Sequence, residues 1–323
     1  MLWALAVALL AGAGAGGGAL AARQGGDGVR AGGVPVLPAP EAVAALGLPW
    51  PQEGQAAVAA AGVGVLGVAG AQRPVPIASV TKVMTAYVVL MDHPLRDGEE
   101  GPVITVDARA AEEAGSVDES TAPVTAGQRL SQRKLLEAML LPSANNVARL
   151  LARWDAGSEE AFVARMNAQA ARLGMAGTTY TGASGLEATT VSTAADQVKL
   201  AREAMKEPAL RATVALRDTV LPGRAAPLRN TNRLLDLPGV VGLKTGSTTL
   251  AGGNLMWALE VADGRDGSER RLVYGVVLGQ RAGTTPADGM RAALERSGRL
   301  VEVLRQKLPG ILPALDGGRR EWA

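Results

Sequence analysis

Strand-like segments stand towards both ends of this chain and helix-like ones fill its middle, an order that narrows the available folds more than any other feature. QAAVAAAGVGVLGVAG, residues 55–70, reads as two short strands with a turn at the glycines. From there to about Lys206, apolar residues recur at helical steps in the stretch around Ser79, Leu130 to Leu141, Asn145 to Trp154, Glu159 to Leu173 and Thr193 to Met205. After Pro208 the pattern changes to strands in LRATVALRDTVL, GVVGLKTGS, NLMWALEVA and RLVYGVVLGQ, and the last, almost wholly apolar, is expected at the centre of a sheet. Ala287 to Leu308 reads as a closing amphipathic helix with Met290, Leu294, Leu300, Val303 and Leu304 inward. The expectation is an α+β body: a sheet completed by both ends of the chain, a helical insert beside it, and a site in the cleft between them.

Composition removes several kinds of chemistry. With 323 residues, 47% of them hydrophobic, the chain can bury a large core, and a scattered net charge of +2 gives no nucleic-acid surface. The absence of cysteine excludes thiolate metal sites, a thiol nucleophile and disulfides. The single histidine, His93, falls in the polar turn MDHPLRDGEE and reads as a surface residue, so a serine hydrolase with a histidine base has only this candidate. Aromatics, 3% of residues, are too few for a sugar-stacking groove. Residues 1–22 carry no charge and read as an atypical signal peptide or N-terminal membrane anchor, which implies work outside the cytoplasm. Residues 23–52, rich in Gly, Pro and Ala, read as a linker, 53–310 as the folded body, and 311–323 as a short tail.

IASVTKVMTAYVVL, residues 77–90, sets Ser79 and Lys82 three apart in an otherwise nearly apolar run whose Ile77, Val80, Val83, Met84, Tyr87, Val88 and Met91 mark a buried helical face. At that spacing the hydroxyl and the amine are neighbours on a helix. A free lysine has a pKa near 10.4, so an uncharged amine at pH 7 costs roughly 4–5 kcal/mol. Burial offsets part of that cost, and a desolvated lysine beside a hydroxyl makes a nucleophile. Ser131 and Lys134 repeat the spacing, but Gln132 and Arg133 lie between them and an apolar helix follows, so Ser131 reads as an N-cap and Lys134 as solvated.

Two more motifs follow in chain order. LLPSANNVARLLA sets Ser143 and Asn145 in a turn between helices, where either could cap the second helix. GLKTGSTTLAGG sets Lys244, Thr245 and Gly246 on a strand, and the glycine implies close approach of another backbone. SxxK, Ser-x-Asn and KTG together form the motif set of penicillin-binding proteins and class A β-lactamases.

With ASVTKVMTAYVVL, LLEAMLLPSANNVA, RMNAQAARLGMAGTTY, SGLEATTVSTAAD and NTNRLL, these stretches make the chain, from about Gln55 to Leu308, resemble the serine-type D-alanyl-D-alanine carboxypeptidases, the low-molecular-mass penicillin-binding proteins of the β-lactamase/transpeptidase-like superfamily. The resemblance implies a mainly antiparallel sheet flanked by helices with an inserted helical subdomain, no cofactor and no metal. It implies a peptidoglycan stem peptide ending in D-Ala-D-Ala as substrate and β-lactams as covalent inhibitors; unlike the larger relatives, which carry an anchor after the catalytic domain, membrane contact is expected here only through the N-terminal segment. By motif match, Ser79 is the expected nucleophile, Lys82 its base, Ser143 a proton relay and Asn145 a ligand of the substrate amide or of Lys82. Lys244 and Thr245 are expected to hold the terminal carboxylate, Gly246 to let the strand pair with the peptide, and Ser247, with Ser79, to donate backbone N–H groups to the oxyanion. Thr231 stands where relatives often have a basic residue, with Arg229 and Arg233 nearby. Two alternatives remain: a class A-like β-lactamase, although no ExxLN glutamate lies between Ser143 and Lys244, and a penicillin-binding sensor that acylates without turnover.

Overall fold

The computed structural model describes residues 40–96, 98–263 and 269–317, so the expected export segment lies outside the described residues. Its frame is a five-stranded antiparallel sheet formed by β1 (Gln55–Ala60), β2 (Gly64–Ala69), β3 (Val240–Thr248), β4 (Gly252–Asp263) and β5 (Glu269–Gln280), in the order β2-β1-β5-β4-β3. The early hairpin therefore pairs with the last strand, and β5 occupies the centre, as its continuous apolar run predicts. Gly62 and Gly64, both at positive φ (73° and 109°), make the β1–β2 turn.

The pleat sends alternate residues to opposite faces of the sheet, giving two cores. Ala57, Ala59, Met256, Ala258, Tyr274, Val276 and Leu278 join the helical side. This side holds α2 (Lys82–Asp92), α3 (Ala108–Glu113), α4 (Gln132–Leu140), α5 (Asn145–Ala156), α6 (Glu159–Arg172), α7 (Ala194–Ala204) and α8 (Pro208–Ala215). Ala56, Val58, Leu255, Trp257, Val273 and Val277 join the other core, closed by α9 (Pro286–Gly317). The helix carrying Lys82 is buried from Lys82 to Leu90 rather than along one stripe, because it runs through the middle of the helical block, packed on α4, α5, α6 and α7.

Three expectations are corrected. Residues 210–221 do not form one strand, since only Asp218–Thr219 pair as a short ladder with Leu228–Arg229; α8 covers Pro208–Ala215, with Pro208 at the start of the helix and Leu210 and Val214, one turn apart, buried between α4 and β3. The linker does not extend to residue 52: helix α1 (Pro40–Ala44) rests on α9, Leu46 is fully buried, and Lys307 Nζ donates to the Leu46 carbonyl at 3.1 Å. Nor does a tail begin at 311, because α9 continues through Pro309 and Pro313 to Gly317, burying Leu312 and Leu315 against the sheet. Arg271 holds that end, its Nη1 and Nη2 donating to Asp316 Oδ1 and Oδ2 at 3.0 and 2.7 Å. The inward face of α9 is Ala293, Leu300, Val301, Leu304 and Leu308, so Leu300 and Leu304 were expected there, whereas Met290, Leu294 and Val303 are only half-buried. Among the described residues no helix is long and apolar enough to cross a membrane.

Candidate active site

Ser79 lies in a 3-10 turn, Ala78–Thr81, that leads directly into α2. The turn is braced from within by Thr81 Oγ1 donating to the Ala78 carbonyl at 2.7 Å. Gly185 presses on it from outside, at φ 79°, where a Cβ would stand 2.1 Å from the Ala78 oxygen. One helical step on, the Lys82 side chain is fully buried and its Nζ meets three oxygens: Ser79 Oγ at 2.8 Å, Asn145 Oδ1 at 2.5 Å and the Ser184 carbonyl at 2.8 Å.

The valence of the amine makes that arrangement directional. The Ser184 carbonyl and the Asn145 amide oxygen can only accept. An uncharged Lys82 has two N–H groups, which these two oxygens take, and its lone pair is left for the Ser79 hydroxyl, which must then donate. Burial, first, and the cations Lys244 and Arg149 hold the Lys82 pKa well below the ordinary lysine value, while Glu119 and Glu187 oppose them.

Asn145 is the first residue of α5 rather than its cap, and neither Ser143 nor Asn145 caps this helix through its side chain; Ala144 is at the cap position. The Asn145 backbone N–H donates to the Ser120 carbonyl at 2.8 Å, and its Nδ2 donates to Glu119 Oε2 at 2.6 Å. Ser143 occupies the turn before α5 in a left-handed conformation, φ 70°, and is buried; among the described residues its hydroxyl makes no hydrogen bond.

Edge strand β3 forms the other wall. Gly246 comes so close to the turn that a Cβ would sit 2.8 Å from the backbone nitrogens of Ser79 and Val80 and 3.0 Å from the Ile77 oxygen. Thr245 Oγ1 lies 2.6 Å from Thr231 Oγ1, and Ser247 is half-buried on the same strand; Arg229 and Arg233 are exposed. Lys244 is 1% exposed, its Nζ donates to the Thr245 carbonyl at 3.0 Å, and burial pushes its pKa down to about 7.

The sequence-predicted residues Ser79, Lys82, Asn145, Lys244, Thr245 and Gly246 thus meet where α2, α5 and β3 converge. His93 does not join them; its Nε2 pairs with Asp155 at 3.1 Å and its ring lies 4.2 Å from that of Trp154. The second Ser–Lys pair is structural. Ser131 Oγ accepts from the Lys134 N–H as the α4 cap, while Lys134 Nζ, half-buried rather than fully solvated, pairs with Glu137 at 2.5 Å and donates to Thr219. Sequence reasoning missed Ser184, whose role is played by a backbone carbonyl, and the Glu119–Arg149 pair beneath Asn145. Arg149, four residues after Asn145 on the same helix face, was the one available signal.

A buried, pKa-depressed lysine carries a stability cost with a definite pH dependence. Between about 7 and the free value of 10.5, native Lys244 is uncharged while the unfolded chain keeps its proton, so stability rises with pH through this window. Lys244→Met is expected to melt above the parent at pH 6, by the equivalent of about 1–4 kcal/mol. The gap should narrow towards pH 10; melting curves showing a constant gap would contradict this account.

The family model for D-alanyl-D-alanine carboxypeptidases matches residues 56–280. Among curated relatives, a D-alanyl-D-alanine endopeptidase of Pseudomonas aeruginosa is 37% identical over 187 residues, covering 55% of this chain and 57% of the relative. A D-alanyl-D-alanine carboxypeptidase, DacF, of Bacillus subtilis is 30% identical over 53% of this chain and 44% of its own. The chain thus spans about half the length of these relatives. Penicillin binding protein 6B from Escherichia coli has a similar structure, with a TM-score of 0.66, 30% identity and 80% of each chain covered. The Streptomyces K15 DD-transpeptidase matches with a TM-score of 0.66 and 25% identity, over 79% of this chain and 98% of its own. With the family model spanning strands β1 to β5 and every wall of the cleft, the chain belongs to the D-alanyl-D-alanine carboxypeptidase family.

Proposed function

We propose that the protein is a serine-type D-Ala-D-Ala carboxypeptidase that removes the terminal D-alanine from peptidoglycan stem peptides outside the cytoplasm. The observation that carries this reading is the fully buried Lys82 amine 2.8 Å from Ser79 Oγ, with burial and then Lys244 holding its pKa well below the ordinary lysine value and so favouring the uncharged form. Lys82 takes the hydroxyl proton as Ser79 Oγ attacks the penultimate D-Ala carbonyl. The backbone N–H groups of Ser79 and Ser247 stabilise the oxyanion, a contribution of about 3–4 kcal/mol per donor. The peptide bond then breaks, a proton returns to the leaving amine by way of Ser143, and D-alanine departs from an ester on Ser79. Water hydrolyses this ester and regenerates the hydroxyl. Lys244, in its charged form, and Thr245 hold the substrate carboxylate, and Gly246 leaves room for the peptide backbone along β3. A β-lactam acylates Ser79 by the same route.

Incubation with a peptide ending in D-Ala-D-Ala tests the proposal, with release of free D-alanine as the expected result. Rapid penicillin turnover without D-alanine release would assign a β-lactamase, and one stoichiometric acylation without turnover would assign a sensor. A second reading is favoured by the endopeptidase names of relatives at 37%, 34% and 31% identity: cleavage of cross-linked stem peptides by the same acylation. Cross-linked muropeptide dimers offered beside the linear peptide separate the two readings.

A further inference from the structure

Lys82 can direct its lone pair at Ser79 only while Asn145 shows it an oxygen. An Asn amide rotated by half a turn would offer N–H groups instead, which compete with the Ser79 hydroxyl for that lone pair. The amide is held by Glu119, whose Oε2 accepts from Nδ2 at 2.6 Å, and a carboxylate can only accept. Bound to a carboxylate on one side, Asn145 must turn its oxygen to the lysine on the other.

That carboxylate introduces a difficulty of its own, for a negative charge one amide away from Lys82 favours the ammonium. Arg149 answers it: its Nη2 donates to the second Glu119 oxygen, and its Nε donates to Glu113 Oε2 at 3.0 Å. Glu113 is in turn paired with Arg109 at 3.1 Å, so charges alternate from Asn145 outwards to the surface. Glu119 and Arg149 side chains are each 10% exposed, so water screens them little. Seen from Lys82, the charged groups are Lys244 on β3, Arg149 on α5, Glu119 in the segment before α4, and Glu187 in the loop before α7. Glu119 and Glu187 favour its proton, while Lys244 and Arg149 disfavour it.

Resting on the acylation chemistry proposed above, we propose that the Glu119–Arg149 ion pair is the positioning device of this site: Glu119 locks the Asn145 amide with its oxygen towards Lys82, and Arg149 cancels the charge of Glu119 at the lysine. A carboxylate is needed for direction and a guanidinium for neutrality. Neither residue touches substrate in this scheme.

The rate of fluorescent-penicillin acylation against pH tests this, because its acidic limb follows deprotonation of Lys82. Arg149→Gln should move that limb up by about one pH unit and Glu119→Gln should move it down by about one unit. The double variant Glu119→Gln/Arg149→Gln should return to within about 0.3 unit of the parent. Arg149→Lys, which keeps the charge, should leave the limb in place. Glu119→Ala, which removes the acceptor, should lower the plateau rate by at least about tenfold with the pH limb shifted as in Glu119→Gln. Melting curves of each variant separate loss of folded protein from these shifts. Limbs that stay fixed in both single Gln variants, or a Glu119→Ala plateau equal to the parent, would overturn the proposal. Failure of the parent chain to acylate at any pH would instead sink the reading of the site on which it rests.

Discussion

Lys82→Met is expected to acylate with fluorescent penicillin about 10² to 10⁴ times more slowly than the parent, while Ser79→Ala is expected not to label at all. Under the proposed mechanism the two losses differ because the oxygen is the reacting atom, whereas the amine only accepts its proton. Without Lys82 the hydroxyl must lose its proton to water, but the walls of the cleft still hold the ligand. The fold should survive, since Met fills the buried channel and removes a group that burial works against, although it leaves the Ser184 carbonyl and the Asn145 oxygen unpaired. Lys134→Ala is the control with the same sequence spacing: labelling should persist, and the cost should appear as a lower melting temperature through the lost Glu137 and Thr219 contacts. Label persisting on Ser79→Ala at the parent rate would remove Ser79 from its role.

Gly246→Ala should be nearly as damaging, although it adds one methyl group at a residue whose backbone is not left-handed. The added carbon would stand 2.8 Å from two backbone nitrogens and 3.0 Å from a backbone oxygen of the Ser79 turn. No side-chain rotation relieves that contact; either β3 or the 3-10 turn must retreat. Retreat of either separates the two backbone N–H donors proposed for the oxyanion, and displacement on the scale of 1 Å costs about a hundredfold in rate. Acylation should therefore fall by about 10² or more, with the Lys82–Ser79 pair intact and the chain still folded. Acylation within twofold of the parent would show that the two walls are not as closely fitted as these contacts make them.

How much of this was legible follows the distance over which each interaction acts. Ser79 and Lys82 are three residues apart in one helix, so period and spacing revealed them. β5 announced its central position through its own apolar run. The stretch from Leu210 to Leu221 misled because its Thr and Val residues resemble strand composition, although Pro208, a favoured first residue of a helix, marked the true start. The closing helix was expected to end at Leu308, yet α9 continues through Pro309 because Leu312 and Leu315 bury on a sheet assembled from distant segments and Arg271 clamps Asp316. Leu46 lies in a Pro- and Gly-rich stretch, and only its contact with α9, some 260 residues later, gives it a place in the core. Glu119 is invisible for the same reason: its partners, Asn145 and Arg149, are 26 and 30 residues away and carry no periodic mark.

The depth of Lys244 has a consequence for how a carboxylate ligand arrives. With its pKa pushed down to about 7 by burial, the amine is only partly charged in the empty site at neutral pH, and in its proposed role a carboxylate seated beside it selects and stabilises the charged form. Each docking event should therefore withdraw a fraction of a proton from the buffer at neutral pH, more in alkaline solution and almost none at pH 5. Titration calorimetry of the Ser79→Ala protein with a D-Ala-D-Ala peptide, repeated in buffers of unequal ionisation heat, should register that uptake. Affinity should weaken as the medium turns alkaline, so the entrance to the cleft is itself gated by acidity.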